Sequence, residues 1–526
     1  MRHSGSGEDP APETRSPVTS GPVFARNIAY SAMSQALSLV LMIITIPIVV
    51  HGLGESAYGI FVVASLLLSY VGFLDLGLTP SVVRLVAIHY STGTPETLSR
   101  IVGTALTLLL GLAALGGALI ALLAPAMVSS VLHVPASLRA DAIFVLDLAA
   151  VGFACNMCLT LFGAIPQALQ RLDLFTVRSL ILTAATAAGQ IAAVVLGGGL
   201  RWVAGVTIAV NVASLGMFIV VDRRLLPAVH FGPRLDRWAL RQLMGFGSLR
   251  FVNQVSGQIV FQVDRLIVAA FLPIRTVTLY SVPLVITQKF TVIQFIFSGA
   301  FFPAASELNA LGEHDRLQRL YLASLKLSFV MVLPMVILVA GFSYPILTTW
   351  VGRDFGNASR NILVVLAVAY GIATLIGVPT LASDATGHVH WSAAFAVASA
   401  IINLSLTLLL VPRLGAIGAA YALLINVATQ GLVFIYVVQR WFLQIPLWSV
   451  LSVLVRPLIA GLVLGAYAVV LAPHIENFAI LLAALVLGSL LYAGMTALLG
   501  VWDDRERQLA QQLATGALSA VRARLG

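Results

Sequence analysis

Apolar residues run along this chain in blocks of twenty or more, broken by short polar stretches. A helix needs about 20 residues to cross the hydrocarbon core of a bilayer. Only a helix satisfies every backbone polar group within one segment, so each block predicts one spanning helix. About 14 blocks meet that length. The first six are Phe24–Val50, Ala57–Leu78, Ile101–Leu123, Ala142–Ile165, Val177–Leu196 and Trp202–Val221. The next six are Phe246–Phe271, Val277–Phe302, Leu322–Ile346, Ile362–Ser383, Trp391–Val411 and Ala416–Val438, followed by Val450–Leu471 and Phe478–Leu499. The expected fold is all-α and polytopic, with two pseudo-symmetric six-helix lobes plus two C-terminal helices.

The longest polar stretch between spans, Asp222–Met244, marks the division. It gives a disordered tail (1–22), a first lobe (23–221), a linker (222–244), a second lobe (245–438), two further spans (439–500) and a tail (501–526). The first tail is rich in Ser, Gly, Pro and Thr, which disfavours a packed core; it lacks the apolar core of a secretory signal, so no processing is expected. The last tail is read either as an amphipathic helix lying on the membrane or as a solvated one. A weak internal repeat supports the two lobes. Phe73-Leu-Asp-Leu-Gly77-Leu-Thr-Pro80 resembles Phe295-Ile-Phe-Ser-Gly299-Ala-Phe-Phe-Pro303, and Tyr58 matches Tyr280. Such symmetry is common in transporters built from repeats.

Composition fits no soluble domain. Hydrophobic residues make up 59% and charged residues 10%, against about 25% charged in soluble proteins, and mean hydropathy is +0.99. The net charge of +9 does not imply nucleic acid here, because basic residues concentrate in cytoplasmic loops. With the N-terminus inside, 21 of the Lys and Arg residues fall in inner segments and 6 in outer loops, which places both termini in the cytoplasm. The pair Cys155 and Cys158 lies inside an apolar block and reads as small packing residues.

Ionisable groups inside spans are costly and usually face a cavity or a partner. Span seven carries Arg250, Asn253, Gln254, Gly257, Gln258, Phe261, Asp264 and Arg265 on one side at about 100° per residue. Span one repeats the theme with Arg26, Tyr30 and Ser34, and span eight adds Lys289 beside Gln288 and Gln294. Arg26, Arg250 and Lys289 together could form a cationic chamber suited to an anionic head group; Lys289 could equally pair with an acid. Asp75 and Asp264 are candidates for binding a coupling proton or sodium ion, with a structural pairing of Asp264 and Arg265 as the preferred alternative. Pro47, Pro283, Pro334 and Pro379 can kink helices that bend in a transport cycle. No catalytic constellation, nucleotide-binding motif or cofactor site is seen, and His388-Val-His390 lacks further metal ligands, so the chain reads as a carrier and not an enzyme.

The segments Pro47-Ile-Val-Val-His-Gly-Leu-Gly54-Glu-Ser-Ala-Tyr58-Gly59, Phe73-Leu-Asp75-Leu-Gly77, Pro166-Gln-Ala-Leu-Gln170-Arg171, Asp264-Arg265-Leu-Ile-Val-Ala-Ala-Phe-Leu and Leu279-Tyr280-Ser281-Val resemble the oligosaccharide flippases of the polysaccharide transporter family. That family shares a superfamily with lipid II flippases and multidrug extruders. The resemblance implies two lobes around a central cavity, alternating access in a bacterial inner membrane, and a polyprenyl-pyrophosphate-linked oligosaccharide as substrate. It implies Arg26, Arg250 and Lys289 as pyrophosphate ligands, and Tyr30, Ser34, Asn253, Gln254 and Gln258 as partners of sugar hydroxyls. Membrane lipids and other polysaccharide assembly proteins are the expected partners. The rivals are an ion-coupled drug extruder, which calls for an acid-lined cavity, and a polysaccharide polymerase or ligase, which calls for a catalytic outer loop.

Overall fold

The computed structural model describes residues 21–69, 75, 77–245 and 248–502, without the side chains of residues 21–34, 36, 91–92, 172–173, 175, 248–254 and 295–300. The first lobe comprises α1 (Gly21–Leu53), α2 (Glu55–Ser69), α3 (Leu78–Thr92), α4 (Pro95–Ala126), α5 (Arg139–Ala168), α6 (Leu172–Val195) and α7 (Gly199–Leu225), and a short α8 (Arg237–Gly245) follows. The second comprises α9 (Ser248–Phe271), α10 (Ile274–Gln288), α11 (Val292–Ala310), α12 (His314–Gly341), α13 (Ser343–Trp350), α14 (Arg353–Leu375), α15 (Gly377–Ala385), α16 (Val389–Leu414), α17 (Ala416–Asn426) and α18 (Leu432–Val437). Two long helices, α19 (Leu447–Leu471) and α20 (Phe478–Leu498), complete the described chain.

Among the described residues, 11 helical segments are long and apolar enough to cross a membrane. The shorter apolar stretches Leu37–Leu53 and Glu55–Ser69 supply spans one and two, and α9 supplies span seven, which accounts for the expected fourteen. Local chemistry sets several helix starts. Thr94 accepts a hydrogen bond from Thr97 N at 3.3 Å ahead of Pro95, and Asn477 caps α20 by accepting from Ile480 N at 2.9 Å; each satisfies one first-turn donor that has no partner within the helix.

The two lobes pack the same pairs of spans. Span one lies along span five and span seven along span eleven, as α1 on α6 and α9 on α16. Spans four and ten are the hubs: α5 touches α2, α4 and α7, while α14 touches α10, α12 and α17. The helices α19 and α20 lean on α12 from outside this pattern. Buried Leu464, Ala460 and Ala468 of α19 and Leu481 and Ala484 of α20 join Leu338 and Phe342 in their own apolar cluster.

The lobes meet where α1 turns into α2, called here the distal end; the opposite end carries the first and last described residues, Gly21 and Trp502. At the distal end α2 lies against α10. A Cβ built on Gly59 would lie 2.3 Å from the backbone oxygen of Ile274, so only glycine permits this approach. Thr278 Oγ1 donates to the backbone oxygen of Glu55 at 2.6 Å, and the Glu55 carboxylate pairs with Arg275. Trp350 Nε1 donates to Ile43 O at 2.7 Å, tying α13 to α1. Tyr58 and Tyr280, paired by the sequence repeat, are both buried.

The stretch 222–244 is docked on the first lobe. Arg234 N donates to Gly103 O at 3.2 Å, Thr107 Oγ1 to Arg234 O at 3.1 Å, His230 N to Ser99 Oγ at 3.0 Å and Asp236 N to Thr104 Oγ1 at 3.1 Å. Ala239 and Leu243, one turn apart on α8, are buried against the first lobe, and Trp238 meets His89 edge-on. The tails 1–20 and 503–526 lie outside the described residues. Cys155 and Cys158 are free thiols on α5, Cys155 buried.

Candidate functional site

Three spans of the second lobe lose regular helix at one level. Span eight is interrupted by the 3-10 turn Lys289–Thr291, span ten breaks at Ile376 between α14 and α15, and span twelve passes through the π-turn Val427–Gly431. Broken helices and π-turns in membrane proteins are tolerated where the freed backbone lines a cavity. Here they surround one. A cavity of about 800 Å³ is lined by Gln35 of α1, Phe261 and Gln262 of α9, Gln288, Lys289, Thr291 and Gln294 of span eight, Tyr370 and Thr380 of span ten and Val427 of span twelve, among others. The size falls within the roughly 300–1,000 Å³ usual for ligand sites.

The electrostatics are one-sided. Lys289 is the sole charged residue among the described lining, is half-buried, and has neither a hydrogen bond nor an ion pair with any described residue. The alternative in which it pairs with an acid is therefore absent among the described residues. Amides dominate the remaining polar wall. Gln294 Nε2 donates to Ala373 O at 3.0 Å, a carbonyl beside the break at Ile376 that also accepts from Ile376 N at 3.3 Å. Gln288 Nε2 approaches Tyr370 Oη at 3.4 Å, and Phe261 packs on the Tyr370 ring with centroids 5.7 Å apart.

The expected site residues fare differently. Lys289 lines the cavity. Gln258, one turn from Gln262, is not among the described lining, and its side-chain oxygen is buried without a partner. The side chains of Arg26, Tyr30, Ser34, Arg250, Asn253 and Gln254 lie outside the described residues, although their backbones are helical. Asp264 is buried, accepts a hydrogen bond from the Tyr280 hydroxyl and another from Arg265 N at 2.8 Å. Asp264 of the span-seven polar face is thus turned into protein, while Arg265 is bonded to the cavity-lining Gln262. Asp75 accepts from Thr79 Oγ1 at 2.9 Å and Thr79 N at 3.2 Å, which caps the start of α3. His388 stacks on Phe442 with ring centroids 4.0 Å apart and contacts Thr386 Oγ1 at 3.0 Å; no metal-ligand cluster occurs among the described residues.

The sequence pointed to Lys289 but passed over Gln35, Gln262, Tyr370 and Thr380. The span-ten members had a signal: Tyr370, Ala373, Gly377 and Thr380 recur at helical spacing on one face, small or polar within an apolar run.

Residues 24–309 match the family described as "Polysaccharide biosynthesis protein". The chain belongs to that family. Over 417 residues it is 24% identical to a protein of Shigella flexneri named "Putative O-antigen transporter", covering 79% of this chain and 97% of that one. Among solved structures, the lipid II flippase MurJ in its inward closed conformation superposes with a TM-score of 0.68 at 14% identity, over 90% of this chain and 98% of that one. A multidrug resistance MATE family transporter in an inward-facing conformation gives 0.58 at 16% identity, over 78% and 98%. An outward-facing MATE structure gives 0.51 at 15% identity, over 79% and 94%. The fold is that of the superfamily these proteins share, in a multi-pass membrane protein. The relatives are named as transporters and flippases and not as enzymes, in keeping with the sequence reading.

Proposed function

We propose that this protein is a flippase of the bacterial inner membrane that carries a polyprenyl-pyrophosphate-linked oligosaccharide across the bilayer by alternating access. The observation that carries the reading is the cavity itself: Lys289, the one cation in the described lining and without a partner among the described residues, set among amides and hydroxyls at a level where three helices break. An ammonium without a protein acid is matched by an anionic ligand acting on a point charge. Amides and hydroxyls around it suit a head group rich in hydroxyls. The described lining contains no carboxylate, which disfavours the cationic cargo of a drug extruder.

The lobes touch through α2 and α10 at the distal end. With the termini in the cytoplasm, the cavity then loads from inside. The head group enters it while the lipid tail stays in the bilayer, and parting of α2 from α10 releases it outside. Asp75 and Asp264 are already engaged as a helix cap and a buried tyrosine partner, so neither is our first choice for ion coupling. Glycan assembly on the far side supplies a pull that needs no coupling ion.

The test is export. Lys289→Ala should stop delivery of lipid-linked oligosaccharide to the outer leaflet at unchanged expression and thermal stability, and Lys289→Arg should restore part of it. Unimpaired export by Lys289→Ala would remove the cationic cavity from the mechanism.

A further inference from the structure

Next to the central cavity lies a second hollow of about 300 Å³, between α15, α16 and the π-turn of span twelve. Ile376 and Thr380 line both spaces. Gly431 sets the partition: a Cβ there would lie 2.2 Å from Ile376 Cδ1, so the π-turn closes on that side chain. The wall also carries two aromatic rings, Phe395 and Phe434, with Ser399 and Gln430, beside Ala396 and the buried Ser392. The rings lie 4.9 Å apart at 50°, and the buried Phe434 holds the half-buried Phe395 in place.

The polar edge is underused. Ser399 Oγ accepts from Asn426 Nδ2 at 2.8 Å, which leaves its own proton to donate. Thr380 Oγ1 donates to Ile376 O at 2.9 Å and keeps lone pairs to accept. Gln430 is half-buried and makes no hydrogen bond with described residues. From the mouth, rings continue toward the end opposite the distal one: Phe395 to Trp391 at 6.4 Å, Trp391 to Trp441 at 6.4 Å and Trp391 to Phe442 at 6.2 Å. Trp391 and Trp441 are exposed.

We propose that this hollow is a sugar-ring subsite, which receives a saccharide unit of the head group remote from the phosphate held by Lys289. The inference rests on the flippase reading above. A saccharide ring presents a C–H face and a rim of hydroxyls. Phe395 offers a flat apolar partner for the first, and Thr380, Ser399 and Gln430 offer donors and acceptors for the second. A polyprenyl chain would bury those polar groups unpaired, which is costly, so the wall favours a sugar over the lipid tail.

The test uses the purified full chain in proteoliposomes of phosphatidylethanolamine and phosphatidylglycerol, loaded with polyprenyl-pyrophosphate lipids bearing either one hexose or a tetrasaccharide. Phe395→Leu keeps apolar bulk and removes the ring; Gln430→Leu removes the amide. Each should lower the tetrasaccharide-to-monosaccharide transport ratio about three- to tenfold, the scale of one lost aromatic or hydrogen-bond contact. An unmoved ratio, whether both rates fall together or neither falls, overturns the subsite and in the first case points to the tail or the fold. Tryptophan fluorescence titrated with the free tetrasaccharide separates the two readings. If the wild type moves neither lipid, the flippase reading fails, and sugar-dependent quenching that Phe395→Leu abolishes still upholds the subsite, whereas no quenching overturns it.

Discussion

Gly59→Ala should open the distal end. The added methyl would lie 2.3 Å from Ile274 O and 3.2 Å from Thr278 Oγ1, about 1 Å inside the 3.4 Å at which ordinary contact begins. The obstacle is backbone, which cannot swing aside as a side chain does. Gly59 is helical, so alanine adds no backbone strain and the whole cost falls on the approach of α2 to α10. Overpacking of this kind costs about 1–3 kcal/mol, and it is felt only in the state where the two helices touch. The equilibrium between sealed and parted distal ends should therefore move about 5- to 150-fold toward the parted state. The exposed Glu55–Arg275 pair is a weaker lever, since such pairs are worth about 0.2–1 kcal/mol; Glu55→Gln should shift the same equilibrium less than Gly59→Ala. Spin labels on the distal ends of α2 and α10, with distances read by double electron–electron resonance, report the two populations. An unchanged distance distribution in folded Gly59→Ala, or a larger opening by Glu55→Gln, would refute the claim that steric fit at Gly59 seals the lobes.

Two further predictions concern polar contacts. Asp264→Ala leaves the buried Tyr280 hydroxyl without its acceptor, which should cost about 1–3 kcal/mol of stability. Asp264→Asn keeps an acceptor and should stay near wild type in thermal melts and in export, whereas loss of ion-dependent transport by Asp264→Asn would return this carboxylate to a coupling role. On the docked linker, a Cβ at Gly103 would lie 2.7 Å from Gly232 O, so Gly103→Val should detach the segment and raise amide hydrogen exchange across residues 230–243; unchanged exchange would show that the docking is held elsewhere.

The sequence disclosed the architecture because hydrophobic run length is a bilayer property and needs no tertiary information. It could not disclose which way polar faces turn. Asp264 and Lys289 look alike on the page, each an ionisable residue in an apolar run, yet one meets Tyr280 sixteen residues on and the other meets open space. Their neighbours across the lobe decide this. Gln35 and Gln262 were passed over for the same reason, since a lone glutamine in a span carries no direction. The docking of the linker is hidden in the sequence because the polar groups it contributes are backbone ones, His230 N, Arg234 N and O and Asp236 N, which have no sequence signature. The helix breaks fall between these cases: Pro283 and Pro379 flag spans eight and ten, but the π-turn at Val427–Gly431 contains no proline.

The described cavity wall belongs almost wholly to the second lobe, with Gln35 as the sole contribution from the first. A head group bound to Lys289 therefore rests on the second lobe, and binding alone need not pull the lobes together. What the first lobe contributes is the seal. Among the described residues its polar part consists of one exposed ion pair and two hydrogen bonds across the lobes, together about 1–4 kcal/mol on ordinary values. Turning a two-state equilibrium from 1:99 to 99:1 takes about 5.5 kcal/mol of differential binding. That polar part, added to the apolar packing of α2 on α10, lies within reach of a ligand that gains a few hydrogen bonds in one state and loses them in the other. A seal built from many buried pairs would lock the lobes. The economy of polar contacts at the distal end, with glycine-mediated fit in place of charge, is what lets a cavity charged on one wall alternate its access.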